Sequence, residues 1–119
     1  MDISLIAYVK GSKKAVDFYK KAFDAELGYN YLNDDGSYMH AEIVKNNKTI
    51  LAVGETKNWT DSGHNMQFGV NLGNEESVKH AYNILSEDAE ILYDIAPSFY
   101  NDLMFDLIDK YGVRWYIAI

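Results

Sequence analysis

The 119-residue sequence predicts an α+β fold of two βαβββ modules joined by a short linker. Three observations carry this expectation. The two halves hold matching residues in the same order, each half reads as one strand, one helix and three strands, and Asn, Asp and Gly stand where the hairpins must turn. The repeat is weighed first, because a missed repeat misreads the whole architecture. Ala25-Glu26-Leu27 answers Ala89-Glu90-Ile91 at an offset of 64 (89 − 25). Met39, Ile43 and Lys45 answer Met104, Ile108 and Lys110 at an offset of 65, and Val9 answers Val70 at an offset of 61. Small loop insertions would absorb the drift.

Module one spans about residues 1–54. Residues 3–9 form an apolar, β-rich run that reads as a strand. Gly11-Ser12 breaks it, and Ser12 is the expected helix N-cap. Ala15, Val16, Tyr19, Ala22 and Phe23 then recur at helical spacing, with Lys13, Lys14, Lys20 and Lys21 on the opposite face. Extended segments follow at about 26–33, 37–45 and 48–53. Asp34-Asp35-Gly36 and Asn46-Asn47 supply the turns, since these residues tolerate positive φ.

A polar linker of about residues 55–65 holds Trp59, Gly63 and His64. Module two, about 66–119, repeats the order. A strand at 66–72 precedes Gly73-Asn74-Glu75-Glu76, where Asn74 can cap a helix and the glutamates suit the positive end of its dipole. Val78, Ala81, Tyr82 and Leu85 form its apolar stripe. Strands near 90–95, 103–109 and 113–119 complete the module, with Tyr111-Gly112 in the last turn. Neither unit can cover both faces of its own sheet with one helix, so the two are expected to pack together in one domain.

Composition narrows the function classes. The chain is 48% hydrophobic and 14% aromatic, enough to build a core. It has no Cys, which excludes disulfides, thiolate metal sites and a thiol nucleophile. The net charge of −7 repels a phosphate backbone and argues against nucleic acid, while favouring cationic ligands at long range. The N-terminal segment has no basic region and only a short apolar run, so no membrane association is expected and the expected location is cytoplasmic. No serine lies in a GxSxG elbow, and the glycines are too scattered for a phosphate loop.

Several motifs carry a family resemblance. Val9 followed by Phe18-Tyr19 and Ala22-Phe23 is similar to the strand-to-helix signature of the vicinal oxygen chelate (glyoxalase/bleomycin resistance/dioxygenase) superfamily. Met39-His40-Ala41-Glu42 resembles the "MHAE" strand of its PhnB-like branch, and Asp109-Lys110-Tyr111-Gly112-Val113-Arg114-Trp115 its closing "DxFGxxW" motif. The resemblance implies a curved mixed sheet around a cavity, with the helices on the outer face. It also implies four strand positions where many relatives hold a divalent metal through His and Glu. Those positions fall on Ser4, Val53 (or Glu55 after a slip), Asn65 and Tyr116. Such ions want imidazole nitrogen or several carboxylate oxygens, so no metal and no other cofactor is expected there.

Strand parity under the same resemblance turns Ser4, Ile6 and Tyr8 toward the cavity, with Asn65 and Gln67 opposite and Arg114, Tyr116 and Ala118 on the same face. His40 and Glu42, two apart on a strand, point the same way and could bind a ligand or do acid–base work. Trp59 could cover the cavity mouth or sit at a dimer interface. The candidate ligand-binding residues are therefore Tyr8, His40, Glu42, Trp59, Gln67, Arg114 and Tyr116. They lead to a metal-independent small-molecule-binding protein, acting in drug or metabolite sequestration on a small organic ligand, cationic if the net charge guides it. The alternative is a metal-dependent lyase or dioxygenase-like enzyme built around His40 and Glu42, with His64 or Glu55 as a further ligand. A homodimer is expected, because it would cover sheet edges and exposed apolar strand faces.

Overall fold

A computed structural model describes residues 1–58 and 65–119, which fall into two compact units divided in sequence after Thr60. Module one runs β1 (Ile6–Val9), α1 (Ser12–Phe23), β2 (Glu26–Leu32), β3 (Tyr38–Lys45) and β4 (Lys48–Glu55). Module two runs β5 (Phe68–Asn71), α2 (Glu75–Leu85), β6 (Glu90–Ala96), β7 (Met104–Ile108) and β8 (Arg114–Ala118). Among the described residues the strands form two four-stranded sheets, ordered β1-β4-β3-β2 and β5-β8-β7-β6. In each, the first strand pairs parallel with the last and the other neighbours are antiparallel. The two βαβββ modules are thus present, element for element.

The registers sharpen the repeat. Glu42 faces Ala52 on β4 and Asp106 faces Tyr116 on β8, so both offsets are 64 (106 − 42 and 116 − 52). Ile6 pairs with Ala52 and Gly69 with Tyr116, giving 63 (69 − 6) for the first strands. The offsets of 61 and 65 are therefore wrong. A one-residue slip along a strand moves a side chain to the other face, and Met39 is 57% exposed whereas Met104 is 4% exposed.

In module one, α1 buries Ala15, Val16, Tyr19, Ala22 and Phe23 against β2, β3 and β4, where Ala41, Ile43, Leu51 and Val53 face it. Its start differs from expectation. Gly11 is the N-cap, at φ 79°, and Ser12 is the first helical residue, fully buried. The cap comes from across the sheet: Glu55 accepts from the Gly11 N–H (3.0 Å) and the Ser12 N–H (2.8 Å). These are two of the donors that a helix start leaves without an internal partner. The Ser12 hydroxyl donates to Glu55 (2.8 Å) and accepts from the Tyr38 N–H (2.9 Å). At the other end, Lys45 Nζ donates to the Phe23 carbonyl at 2.6 Å.

Two bulges set which residues of β2 and β3 share a face. Leu27 pairs with Ile43 and Asn30 with Ala41, so Gly28 and Tyr29 together oppose one residue. Gly28 has no room for a side chain, since a Cβ there would lie 2.5 Å from Val44 Cγ2. A second shift near Met39 puts Tyr38, Ala41 and Ile43 on the helix face and leaves His40 and Glu42 on the other. The Asn46-Asn47 turn is as expected, both residues having positive φ.

In module two, Asn74 caps α2 by accepting from the Ser77 N–H at 2.8 Å. Val78, Ala81 and Leu85 are fully buried, as are Phe105, Leu107, Trp115 and Ile117 of the sheet. Tyr82 packs edge-on against Phe105 and donates its hydroxyl to Asp94 (2.6 Å), which raises the tyrosine's pKa and lowers the aspartate's. Among the described residues no helix is long and apolar enough to cross a membrane.

Candidate functional site

The closing motif has a structural task. Asp109, 4% exposed, accepts from the Tyr111 N–H (2.8 Å), the Val113 N–H (3.1 Å) and the indole of Trp115 (2.9 Å). It therefore holds the β7–β8 turn and fixes the core tryptophan. The chemistry must come from the sheet faces turned away from the helices.

In module one that face carries His40 and Glu42 in a cavity of about 310 Å³, closed by residues 3–5, β3 and β4. His40 Nε2 lies 3.3 Å from Glu42 Oε2, and Thr49 Oγ1 donates to Glu42 Oε1 at 3.0 Å. The Tyr29 ring stands 6.0 Å from the imidazole. A carboxylate oxygen at this distance can accept an imidazole N–H, and the two residue types together suit acid–base work. Tyr8 is 64% exposed on the same face of the sheet and is not among the residues lining this cavity. Its ring lies over Gly54, where a Cβ would meet it at 3.0 Å.

Module two has a larger cavity, about 450 Å³, lined by Gln67, Tyr93, Ser98, Phe99, Tyr100, Met104, Asp106 and Tyr116. Arg114 closes on Asp106 as a fork, Nε to Oδ1 at 3.2 Å and Nη2 to Oδ2 at 2.8 Å. This is the bidentate geometry that suits guanidinium and carboxylate, and it raises the arginine's pKa. Burial, then a hydrogen bond with Tyr100, pushes the Tyr116 phenol up to about 12. Residues 97–102 form the loop that carries Phe99 and Tyr100. Asn101 pins the loop, accepting from the Leu103 N–H (3.1 Å) and donating to the Ile119 carbonyl (3.1 Å).

The candidate residues thus fall into two groups: His40 with Glu42 in module one, and Gln67, Tyr116 and Arg114 around the module-two cavity. Trp59 and His64 lie outside the described residues. Sequence reasoning missed Tyr93, Phe99, Tyr100 and Asp106. Two adjacent aromatic residues in the otherwise polar stretch 97–102 were the available signal.

The family's metal positions need correction. Val53 is fully buried toward α1, and the β4 residue on the Ser4 side is Ala52, which lines the cavity with Ser4. The repeat offset of 63 makes Gln67, rather than Asn65, the counterpart of Ser4 (4 + 63 = 67). Glu55 is held by Gly11 and Ser12. Burial raises its pKa, but those hydrogen bonds outweigh burial and leave it below the usual value. Ser4, Ala52, Gln67 and Tyr116 do not form a donor set for a divalent cation. Among the described residues no group of three His, Asp or Glu could hold one either.

The fold has many solved counterparts. The PhnB protein from Bacillus cereus aligns with a TM-score of 0.79 at 22% identity, covering 99% of this chain and 98% of that one. The fosfomycin resistance protein FosX from Listeria monocytogenes gives 0.69 at 14% identity, covering 99% and 91%. TioX from a Micromonospora species gives 0.64 at 15% identity, covering 98% and 97%. A further structure of the Listeria protein contains manganese(II) and dihydroxypropylphosphonic acid. At these identities the likeness establishes the fold. No curated protein matches the sequence. The family model for the glyoxalase/bleomycin resistance protein/dioxygenase superfamily matches residues 4–117. The chain belongs to that superfamily.

Proposed function

We propose that this protein binds a small organic molecule without a metal and acts by sequestering it. The observation that carries this reading is the module-two cavity. Its volume falls in the range of small-molecule pockets, about 300–1,000 Å³, and four aromatic rings line it. The positions where relatives place metal ligands hold Ser4, Ala52, Gln67 and Tyr116, which suit contact with an organic molecule better than coordination. The test is metal analysis of the purified protein with a His40→Ala variant alongside. This reading expects metal far below one equivalent in both; a stoichiometric transition metal lost on substitution would overturn it.

A second reading has a specific observation behind it, the His40–Glu42 pair in the module-one cavity. In it the pair exchanges a proton with a bound substrate. A third ligand for a metal is missing from the described residues: Glu55 is committed to α1, and His64 lies outside them.

We also propose that the chain works as a homodimer. The strand β2, outermost in its sheet among the described residues, exposes Tyr29, Tyr31 and Leu32. Sedimentation velocity should give twice the chain mass, and Tyr31→Lys should shift it toward monomer. A monomer at all concentrations in the parent protein would refute this.

A further inference from the structure

The module-two cavity is lined by aromatic rings, and the one carboxylate among the described lining residues, Asp106, already has a partner. Tyr93, Phe99, Tyr100 and Tyr116 contribute the rings. Phe99 is 99% exposed, and its only ring contact among the described residues is Tyr100, edge-on at 4.9 Å. A phenylalanine fully in water on a pinned loop at a cavity rim leaves a large apolar surface that a flat ligand can cover. The loop is held in place rather than loose: the Ser98 N–H donates to the Asn101 carbonyl at 2.8 Å, and Asn101 is tied to Leu103 and Ile119. The aromatic wall is therefore formed before any ligand arrives.

Charge at the cavity decides between ligand classes. The net charge of −7 attracts cations at a distance. At contact range the relevant group is Asp106, and both of its oxygens accept from Arg114. A carboxylate held in a fork by a guanidinium offers a cation little, because the incoming charge would meet the arginine as well. Tyr116, with its pKa near 12, stays neutral and brings a hydroxyl rather than a charge. Gln67 adds an exposed amide.

Resting on the small-molecule reading above, we infer that this cavity binds an uncharged, planar aromatic ligand, with Phe99 and Tyr100 as the stacking wall and the Asp106–Arg114 pair as the element that rejects cations. The size of the cavity matches a two- or three-ring compound.

Calorimetric titration of the whole protein with three probes of similar size tests this: 2-naphthol (planar and neutral), decahydro-2-naphthol (the saturated skeleton) and N-methylquinolinium (planar and cationic). The expected result is binding of 2-naphthol at least tenfold tighter than either other probe. Phe99→Ala should weaken it at least tenfold; the residue is wholly exposed, so folding is not at stake. Arg114→Gln should free Asp106 and raise N-methylquinolinium affinity at least tenfold. Tighter binding of the saturated or cationic probe, no 2-naphthol binding, or indifference to Phe99→Ala would overturn the inference. The first outcome, in metal-free protein, would leave the small-molecule reading standing. Only the metal analysis described above, with stoichiometric metal found, removes both.

Discussion

Glu55 at the end of β4 accepts a 2.8 Å hydrogen bond from the Ser12 N–H at the start of α1, forty-three residues away in sequence. A helix usually draws its cap from the residue just before it. Here Gly11 turns the chain through a positive φ and has no side chain to offer, so the carboxylate comes from the neighbouring strand. The same contacts commit both Glu55 carboxylate oxygens to the start of α1.

An acid-stability prediction follows from that contact. Glu55 has a folded pKa below its ordinary 4.5. Its stabilisation is thus present above 4.5 and disappears as pH falls through the lower folded value. Glu55→Gln should cost about 1–2 kcal/mol at pH 7, because a charged acceptor of three hydrogen bonds becomes neutral. Urea unfolding from pH 7 to pH 3 should show a shallower acid decline in the variant. Equal slopes would show that Glu55 does not report on α1.

Asp109 gives a second, larger effect. It satisfies two backbone N–H groups and the Trp115 indole from a buried position. Asp109→Ala strands all three donors and should lose about 3 kcal/mol or more, with Asp109→Asn losing less because one acceptor oxygen remains. Guanidinium unfolding followed by Trp115 fluorescence measures both. A loss under about 1 kcal/mol in the alanine variant would contradict the role assigned to the motif.

Alkaline stability depends on Tyr116. Its folded pKa of about 12 lies above the ordinary 10.0. Below pH 10 both states are protonated and the folded state keeps its advantage. Between 10 and 12 the unfolded chain loses the proton first, so stability falls as pH rises. Tyr116→Phe should flatten this decline between pH 9 and 11. A decline unchanged in the variant would place the titration elsewhere, for example at Tyr82, whose pKa is also raised.

Much of the fold was legible because its cues are local. The strand segments of β7 and β8, the α2 stripe and the Asn74 cap depend on neighbours within a few residues, and the structure has them where they were expected. The cap of α1 was misassigned to Ser12 because Glu55 is close only after the sheet forms. The offset of 61 is two short of 63, which keeps alternate positions in phase. The offset of 65 is one too long and found matches because apolar residues stand side by side at Leu103-Met104-Phe105 and Leu107-Ile108. Only hydrogen-bonded pairs such as Glu42 with Ala52 fix the register.

The site was less legible. His40 and Glu42 were readable as a pair from their spacing on one strand, and Gln67 and Tyr116 from strand parity. Phe99 and Tyr100 reach the cavity from a loop, where no periodicity announces direction. Asp106 drew no notice because its importance lies in the diagonal cross-strand fork with Arg114. Its place on β7 is the counterpart of Glu42 on β3, at the offset of 64 that the registers supply.

Metal-independent binding is the central claim, and one measurement addresses it directly. The protein is stripped with a chelator, dialysed, and titrated calorimetrically with 2-naphthol before and after addition of one equivalent of manganese, nickel or zinc. The account predicts the same affinity in every state. Loss of binding on chelation, with recovery when one metal is restored, would contradict it.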